Sequence, residues 1–208
     1  MRSDVELLEA WRAGDKQAGS ELFSRHFDTL YAFFRNKTFE GVDDLVQRTF
    51  LACIEGRDRF RGDASFRAYM LGAARRILYR AIDEWRRDGK RVDVGVSSLH
   101  DVRTSPSQVV ARRGEHRLVL EALRRVPIEQ QVALELYYLQ GYRGPELATI
   151  LDVPQATVRS RLSRGLDNLR ARVRELQAGG PLLDATLAEL EQWLTSLAEA
   201  GPPSVGLR

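Results

Sequence analysis

Thr157, Arg159, Ser160, Arg161, Ser163 and Arg164 place three guanidinium groups and three hydroxyls within about two helical turns. An arginine fork can pair bidentately with a guanine edge, and serine or threonine can take either a base or a phosphate. Interleaved with these residues are Val158, Leu162, Leu166, Leu169 and Val173, which recur at helical spacing and form an apolar stripe along a helix from Gln155 to about Leu176. Upstream lie a short helical segment, Pro145 to Leu151, and a tight break at Asp152-Val153-Pro154. Pro154 suits the first turn of the longer helix, where its missing N–H needs no partner. Leu147, Ala148 and Leu151 would pack on Val158 and Leu162, and the small Ala148 permits close approach. Two helices joined by a three-residue turn, the second basic at its N-terminal half, make a helix-turn-helix with its recognition helix in the major groove. The alternative, a solvated arginine-rich helix in a hairpin, leaves the coincidence of turn, proline and basic cluster unexplained.

A second basic region comprises Arg59, Arg61, Arg67, Arg75, Arg76, Arg80, Arg86 and Arg87, with Phe60, Phe66, Tyr69, Tyr79 and Trp85 interleaved. Arginines can follow a phosphate backbone while aromatic rings stack on unpaired bases, which would suit a grip on opened, single-stranded DNA. Alternatively the aromatics are core and the arginines solvated. Composition does not decide between the two.

The elements that must position these residues are all helical. Ser3 and Glu6 form a capping box that opens a helix aligning Leu7, Leu8 and Trp11, and Gly14-Asp15 stops it. A second helix, Gln17 to Asn36, places Leu22, Phe23, Phe27, Leu30 and Phe34 on one stripe. A third, Val42 to Glu55, turns Leu45, Val46, Thr49, Phe50 and Cys53 inward. A fourth, Ser65 to about Arg87, holds Phe66, Tyr69, Met70, Ala73, Ile77 and Ile82. From Asp88 to Pro106 the periodicity fails amid Gly89, Gly95 and several serines, which marks a linker and a domain boundary. Helices then run from Ser107 to Val126, closed by Pro127, and from Glu129 to Gln140, closed by Gly141. After Gly179-Gly180-Pro181 a last helix spans Leu182 to Ala200. The expected fold is all-α, with two small helical domains, 1–87 and 107–176, a flexible linker at 88–106 and an extension at 177–208.

Composition narrows the function classes. The 208 residues are 43% hydrophobic and 29% charged with a net charge of +3, the balance of a soluble globular protein. A basic pI of about 9.2 favours an acidic partner. Cys53 is the lone cysteine, and no spacing among His26, His100, His116 and Cys53 suits a metal. No phosphate-cradling glycine loop or nucleophile elbow is present. The sequence therefore predicts no catalytic residue, no cofactor and no metal. With no apolar leader and no run of the ~20 apolar residues a membrane span needs, it predicts a cytoplasmic protein.

The stretch Asp43-Asp44-Leu45-Val46-Gln47-Arg48-Thr49-Phe50, followed by Arg59-Phe60-Arg61-Gly62-Asp63-Ala64-Ser65-Phe66-Arg67, resembles region 2 of the extracytoplasmic-function (ECF) sigma factors. Leu147 through Arg164 resembles region 4 of the same family. The two occur in the family's order and together cover roughly residues 4 to 175. This resemblance implies a factor that carries core RNA polymerase to promoters, held by the β′ clamp helices and the β flap. Asp44, Leu45, Gln47 and Phe50 match the segment that docks on the clamp helices. Phe60, Arg61, Arg67 and the helix carrying Arg75, Arg76 and Arg80 match the part that melts the minus-ten element and captures its unpaired strand. Thr157 belongs to the recognition helix, and Arg159, Ser160, Ser163 and Arg164 match positions that contact the minus-thirty-five element. Many relatives are held by an anti-sigma protein, and the sequence leaves that partner open.

Three departures stand out. Arg76 occupies a position where many relatives carry Asn, Arg48 replaces a common Glu, and the extension lies beyond the usual family end. In that extension Leu183, Leu187, Leu190, Leu194 and Leu197 share one helical face with Trp193, and Asp184, Glu189, Glu191 and Glu199 carry the charge. A lone helix of this kind is marginal in water, so its leucines need a partner surface. The helix Leu182-Ala200 either docks back on the sigma domains and restrains them, or extends the second domain as a further packing element. Two other functional classes were open to the sequence, a ligand-sensing or dimerising DNA-binding regulator and a polymerase adaptor that reads no DNA. Neither accounts for both motifs.

Overall fold

The computed structural model describes residues 2–38, 41–60, 62, 64–88, 118–176, 192, 194 and 195. Every regular element among them is helical, and no strand occurs among these described residues. The chain divides into two compact units that part near residue 92, except that the short stretch Thr149–Asp152 groups with the first. Beyond Asp88 the expected linker, the helix start at Ser107 and most of the extension fall outside the described residues.

The first unit contains α1 (Asp4–Arg12), α2 (Lys16–Arg35), α3 (Val42–Glu55), a 3₁₀ turn (Arg57–Arg59) and α4 (Phe66–Arg87). The capping box at α1 forms as expected: Glu6 N–H donates to Ser3 Oγ, and Ser3 N–H donates to the Glu6 carboxylate at 2.6 Å. Asp15, expected only to end α1, caps α2 by accepting from the N–H groups of Gln17 and Ala18 at 2.9 and 3.1 Å. Those bonds hold its carboxyl below the usual range. Ser65 does the same for α4, accepting from Ala68 N–H. Leu7, Leu22, Leu30, Phe34, Leu45, Met70 and Leu71 are fully buried between these helices; each such side chain contributes roughly 1.5–3 kcal/mol by leaving water. The stripe on α2 differs from the expectation in two places. Phe33 is in the core, whereas Phe27 is 37% exposed.

In the second unit α5 (118–124) is followed by α6 (Ile128–Leu134), a single π turn (Glu135–Leu139), α7 (Gly144–Leu151) and α8 (Gln155–Leu176). Pro127 separates α5 from α6 and caps the latter with its carbonyl. The expected continuous helix to Gln140 instead widens at the π turn, where Gln140 N–H donates to Glu135 O at 3.0 Å. The core joins Val119, Ala122, Leu123 and Val126 to Leu134, Leu166, Leu169 and Val173, and Leu194 of the extension is fully buried in the same cluster.

Candidate nucleic-acid interface

In α8 the apolar stripe is buried as predicted at Val158, Leu166, Leu169 and Val173, with Leu162 half-buried. Pro154 sits one step ahead of the expected first turn, its carbonyl accepting from Val158 N–H at 3.1 Å. Asp152 makes the turn with φ of 52°, the left-handed region that aspartate tolerates better than most residues. Arg159, Ser163 and Arg164 are exposed, and Thr157 and Ser160 are half-buried at the edge of the same face. At about 100° per residue, Arg159, Ser160, Ser163 and Arg164 share an arc of about 140° opposite the stripe. No carboxylate among the described residues pairs with Arg159 or Arg164, whereas Arg161, on the flank, is 2.7 Å from Glu129. Two exposed guanidinium groups beside two hydroxyls on one helical face form a surface suited to a groove edge and its phosphates.

The arginines of α4 do not all meet. Arg76 and Arg80 are exposed one turn apart, and Tyr69 lies along the same side. Arg67 is about half a turn of the helix away from Arg76, and Arg61 lies outside the described residues. Arg75 is 8% exposed, its guanidinium 5.6 Å from the Tyr79 ring centroid. Of the interleaved aromatic residues, Phe60 and Phe66 are buried and Tyr69, Tyr79 and Trp85 are half-buried. Phe60 is buried against Tyr69 and Phe66, with centroids 4.7 and 6.4 Å away. Its carbonyl accepts from Arg12, which also donates to Arg57 O at 3.0 Å. Phe60, expected at the DNA surface, is thus packed inward. Sequence patterning misses this because aromatic spacing on α4 fits a core and a stacking platform equally well.

On α3, Asp44 and Gln47 are exposed and Phe50 is half-buried, whereas Leu45 is a core residue at 1% exposure. Leu51 and Ile54, 50% and 46% exposed, were not anticipated. Gln47, Phe50, Leu51 and Ile54 follow the i, i+3, i+4, i+7 spacing of one face. The clue was available: two large apolar residues fall off the inward stripe. Phe50 stacks toward Phe23 at 4.7 Å and borders a shallow groove of about 350 Å³ lined by Ser20, Phe23, Ser24, Phe27, Asp28 and Phe50. Arg48 reaches Asp44 at 3.7 Å and Glu84 at 3.4 Å, tying α3 to α4. Among the described residues no group of His, Cys, Asp and Glu converges as a metal ion would require.

A helix-turn-helix unit preceded by a helical unit with this α3 and α4 arrangement matches known proteins along most of its length. Residues 22–91 match Sigma-70 region 2, and residues 116–169 match Sigma-70, region 4. The ECF RNA polymerase sigma factor SigM of Mycobacterium tuberculosis is 33% identical over 177 residues, covering 84% of this chain and 85% of that protein. The chain belongs to the ECF sigma factors. The ECF RNA polymerase sigma-E factor of Escherichia coli K12 is 25% identical, with 84% of this chain and 96% of the relative aligned. Among solved structures, CnrH in complex with the cytosolic domain of CnrY shares the fold, with a TM-score of 0.56 and 24% identity over 84% of this chain and 97% of that one. This sigma factor therefore directs promoter-specific transcription initiation by RNA polymerase. The expected all-α class with region 2 and region 4 domains, and the expected family, are borne out. Among the described residues no helix is long and apolar enough to cross a membrane.

Proposed function

We propose that promoter recognition is divided between the two units residue by residue. Arg159 and Arg164, with Ser160 and Ser163, read the minus-thirty-five duplex from the open face of α8. Arg76 and Arg80 hold the unpaired minus-ten strand along α4, within a region 2 domain of residues 1–87. Phe60 shapes that surface from beneath. The linker 88–106 gives the region 4 domain, 107–176, reach between the two elements. Asp44, Gln47, Phe50, Leu51 and Ile54 form the polymerase-docking face of α3, which Leu45 supports from the core. The protein works in the cytoplasm without catalytic chemistry of its own, and its exposed apolar face on α3 equally suits an anti-sigma protein. The observation that carries this reading is the contrast within α8, where Arg159 and Arg164 are exposed and no carboxylate among the described residues pairs with them, while Arg161 is paired with Glu129.

Reconstitution with core polymerase on a promoter found by mapping start sites after overexpression tests it. Arg159→Ala or Arg164→Ala should weaken closed-complex binding by ~1–3 kcal/mol if the contact is bidentate to a base. Arg76→Ala and Arg80→Ala should leave closed binding intact and reduce strand opening, read by a fluorescent base in the minus-ten element. Normal transcription by the α8 variants would reject the assignment. A chain that needs another sigma to initiate would be a regulator, and one that binds polymerase without specific initiation would be an adaptor.

A further inference from the structure

Arg161 differs from its neighbours on α8 in what its charge meets. Its Nη2 donates to Glu129 Oε2 of α6 at 2.7 Å, its side chain is 18% exposed, and its Nη1 is buried with no partner among the described residues. Two turns on, Asn168 Nδ2 donates to Gln130 Oε1 at 2.7 Å. Between these links lies Gly165, where a Cβ would stand 3.1 Å from Leu134 Cδ1 and 3.3 Å from Gln130 Cβ. Residues 161, 165 and 168 share one flank of α8, beside the buried stripe and apart from the arc of Arg159 and Arg164. At the glycine α8 brings no side chain of its own and its backbone sits directly on the Leu134 and Gln130 side chains of α6. Such a contact sets their separation but resists rolling poorly. The polar links on either side supply that resistance.

Stability does not explain the Arg161–Glu129 pair. Glu129 is 56% exposed, and pairs of this kind contribute little to folding. A recognition helix has a different requirement, because bidentate pairing with a base edge tolerates only small errors of placement. We propose that Arg161 is a positioning residue: held by Glu129, it fixes the roll of α8 on α6 so that Arg159 and Arg164 meet the base edges in register. Glu129 and Arg161 then act as a pair in promoter discrimination, although neither touches DNA. This rests on the assignment of α8 as the minus-thirty-five reader.

The test uses the full chain bound to core polymerase. The probes are a duplex selected from a randomised minus-thirty-five pool and a scrambled control, titrated at several salt concentrations. Glu129→Ala removes a negative charge near DNA, so electrostatics alone would tighten binding to both duplexes. Positioning predicts the opposite for specificity: the selected-to-scrambled affinity ratio falls roughly tenfold, about the size of one mismatched base pair. Arg161→Ala gives the same loss with an unchanged salt slope. Glu129→Gln, which keeps the acceptor, retains the ratio, and the reversed pair Glu129→Arg with Arg161→Glu recovers most of it. An intact ratio in Glu129→Ala overturns the proposal. So does a drop in salt slope of about one for Arg161→Ala alone, which would make Arg161 a phosphate contact. Arg159→Ala is the control: if it too leaves the ratio intact, the assignment of α8 as reader has failed and the positioning role falls with it.

Discussion

The indole of Trp11 occupies the space that a side chain at residue 19 would fill. A Cβ on Gly19 would lie 2.6 Å from Trp11 Cδ1 and 2.7 Å from Nε1, nearer than non-bonded carbon and nitrogen can approach. The ring cannot retreat easily, because Trp11 is buried, meets Phe23 edge-on at 5.1 Å and carries the Arg57 guanidinium 5.2 Å from its centroid. Gly19 is thus the docking point of α1 on α2. Gly19→Ala should destabilise the first unit by ~1–3 kcal/mol as an overpacking change, even though alanine gains up to ~1 kcal/mol in helix propensity over glycine. Urea denaturation followed by circular dichroism checks the sign. A more stable variant would show that α1 is free to shift.

Leu45 and Leu51 separate folding from docking on α3. Leu45 is in the core, so Leu45→Asp should unfold the first unit, and its failure to bind polymerase would report only that. Leu51 is half exposed, so Leu51→Arg should change stability by less than ~0.5 kcal/mol. If the outer face of α3 docks on polymerase, the same change should cost ~2 kcal/mol or more of core binding, the range of a central interface residue. Fluorescence anisotropy with labelled core enzyme measures this, with circular dichroism as the folding control. Unchanged affinity in a folded Leu51→Arg protein would remove this face from the interface.

How much of this was legible depended on whether a residue's environment is fixed by its own helix or by another. The Ser3 capping box and the α8 stripe are local patterns, and both stand where the sequence put them. Phe27 and Phe33 both fit an inward stripe on α2, and only the approach of the other helices decides that Phe33 is covered. The π turn at Glu135–Leu139 is a change of hydrogen-bond register with no side-chain signature. Phe60 looks like part of a DNA surface in composition, yet the fold turns it inward, because aromatic side chains pack as readily as they stack on bases. The pairing of Arg161 with Glu129, far apart in sequence, could not be seen until α6 and α8 were side by side.

Cys53 is fully buried on α3, and burial pushes its thiol up to about 12, opposed only by the charge of Arg76. It should resist aqueous thiol reagents in the folded protein and react once the chain unfolds. Linkage fixes the sign of the pH effect. In the unfolded chain the thiol ionises near pH 8.5, while in the folded protein it stays protonated to about 12. Its stabilising contribution is therefore fully present below pH ~8.5 and is lost as pH rises toward 12, with a limiting slope of ~1.4 kcal/mol per pH unit. Cys53→Ala should flatten stability against pH over that window by this amount, measured by denaturant titration. Equal slopes in the two proteins, or rapid native-state labelling, would contradict the buried placement.

Leu194 is the place to separate the two expectations for the extension. Its side chain is fully exposed to the apolar cluster of Val119, Leu123, Leu166 and Val173 and to no solvent, so the extension reaches the core of the second unit rather than only its surface. Removing a fully buried leucine side chain costs ~2–5 kcal/mol, depending on how far the site can collapse. Leu194→Ala should therefore lower the stability of the second unit within that range. Truncation after Gln177 should do at least the same, because it takes Leu194 away altogether. Restraint by a docked tail predicts something else: a truncated protein that stays folded and binds DNA or core polymerase more tightly. The two outcomes separate when stability and binding are measured on the same preparations. Loss of stability with no gain in binding makes residues 177–208 a structural part of the region 4 domain. A folded truncation with tighter binding makes them a brake, and Leu194→Ala should then reproduce part of that gain.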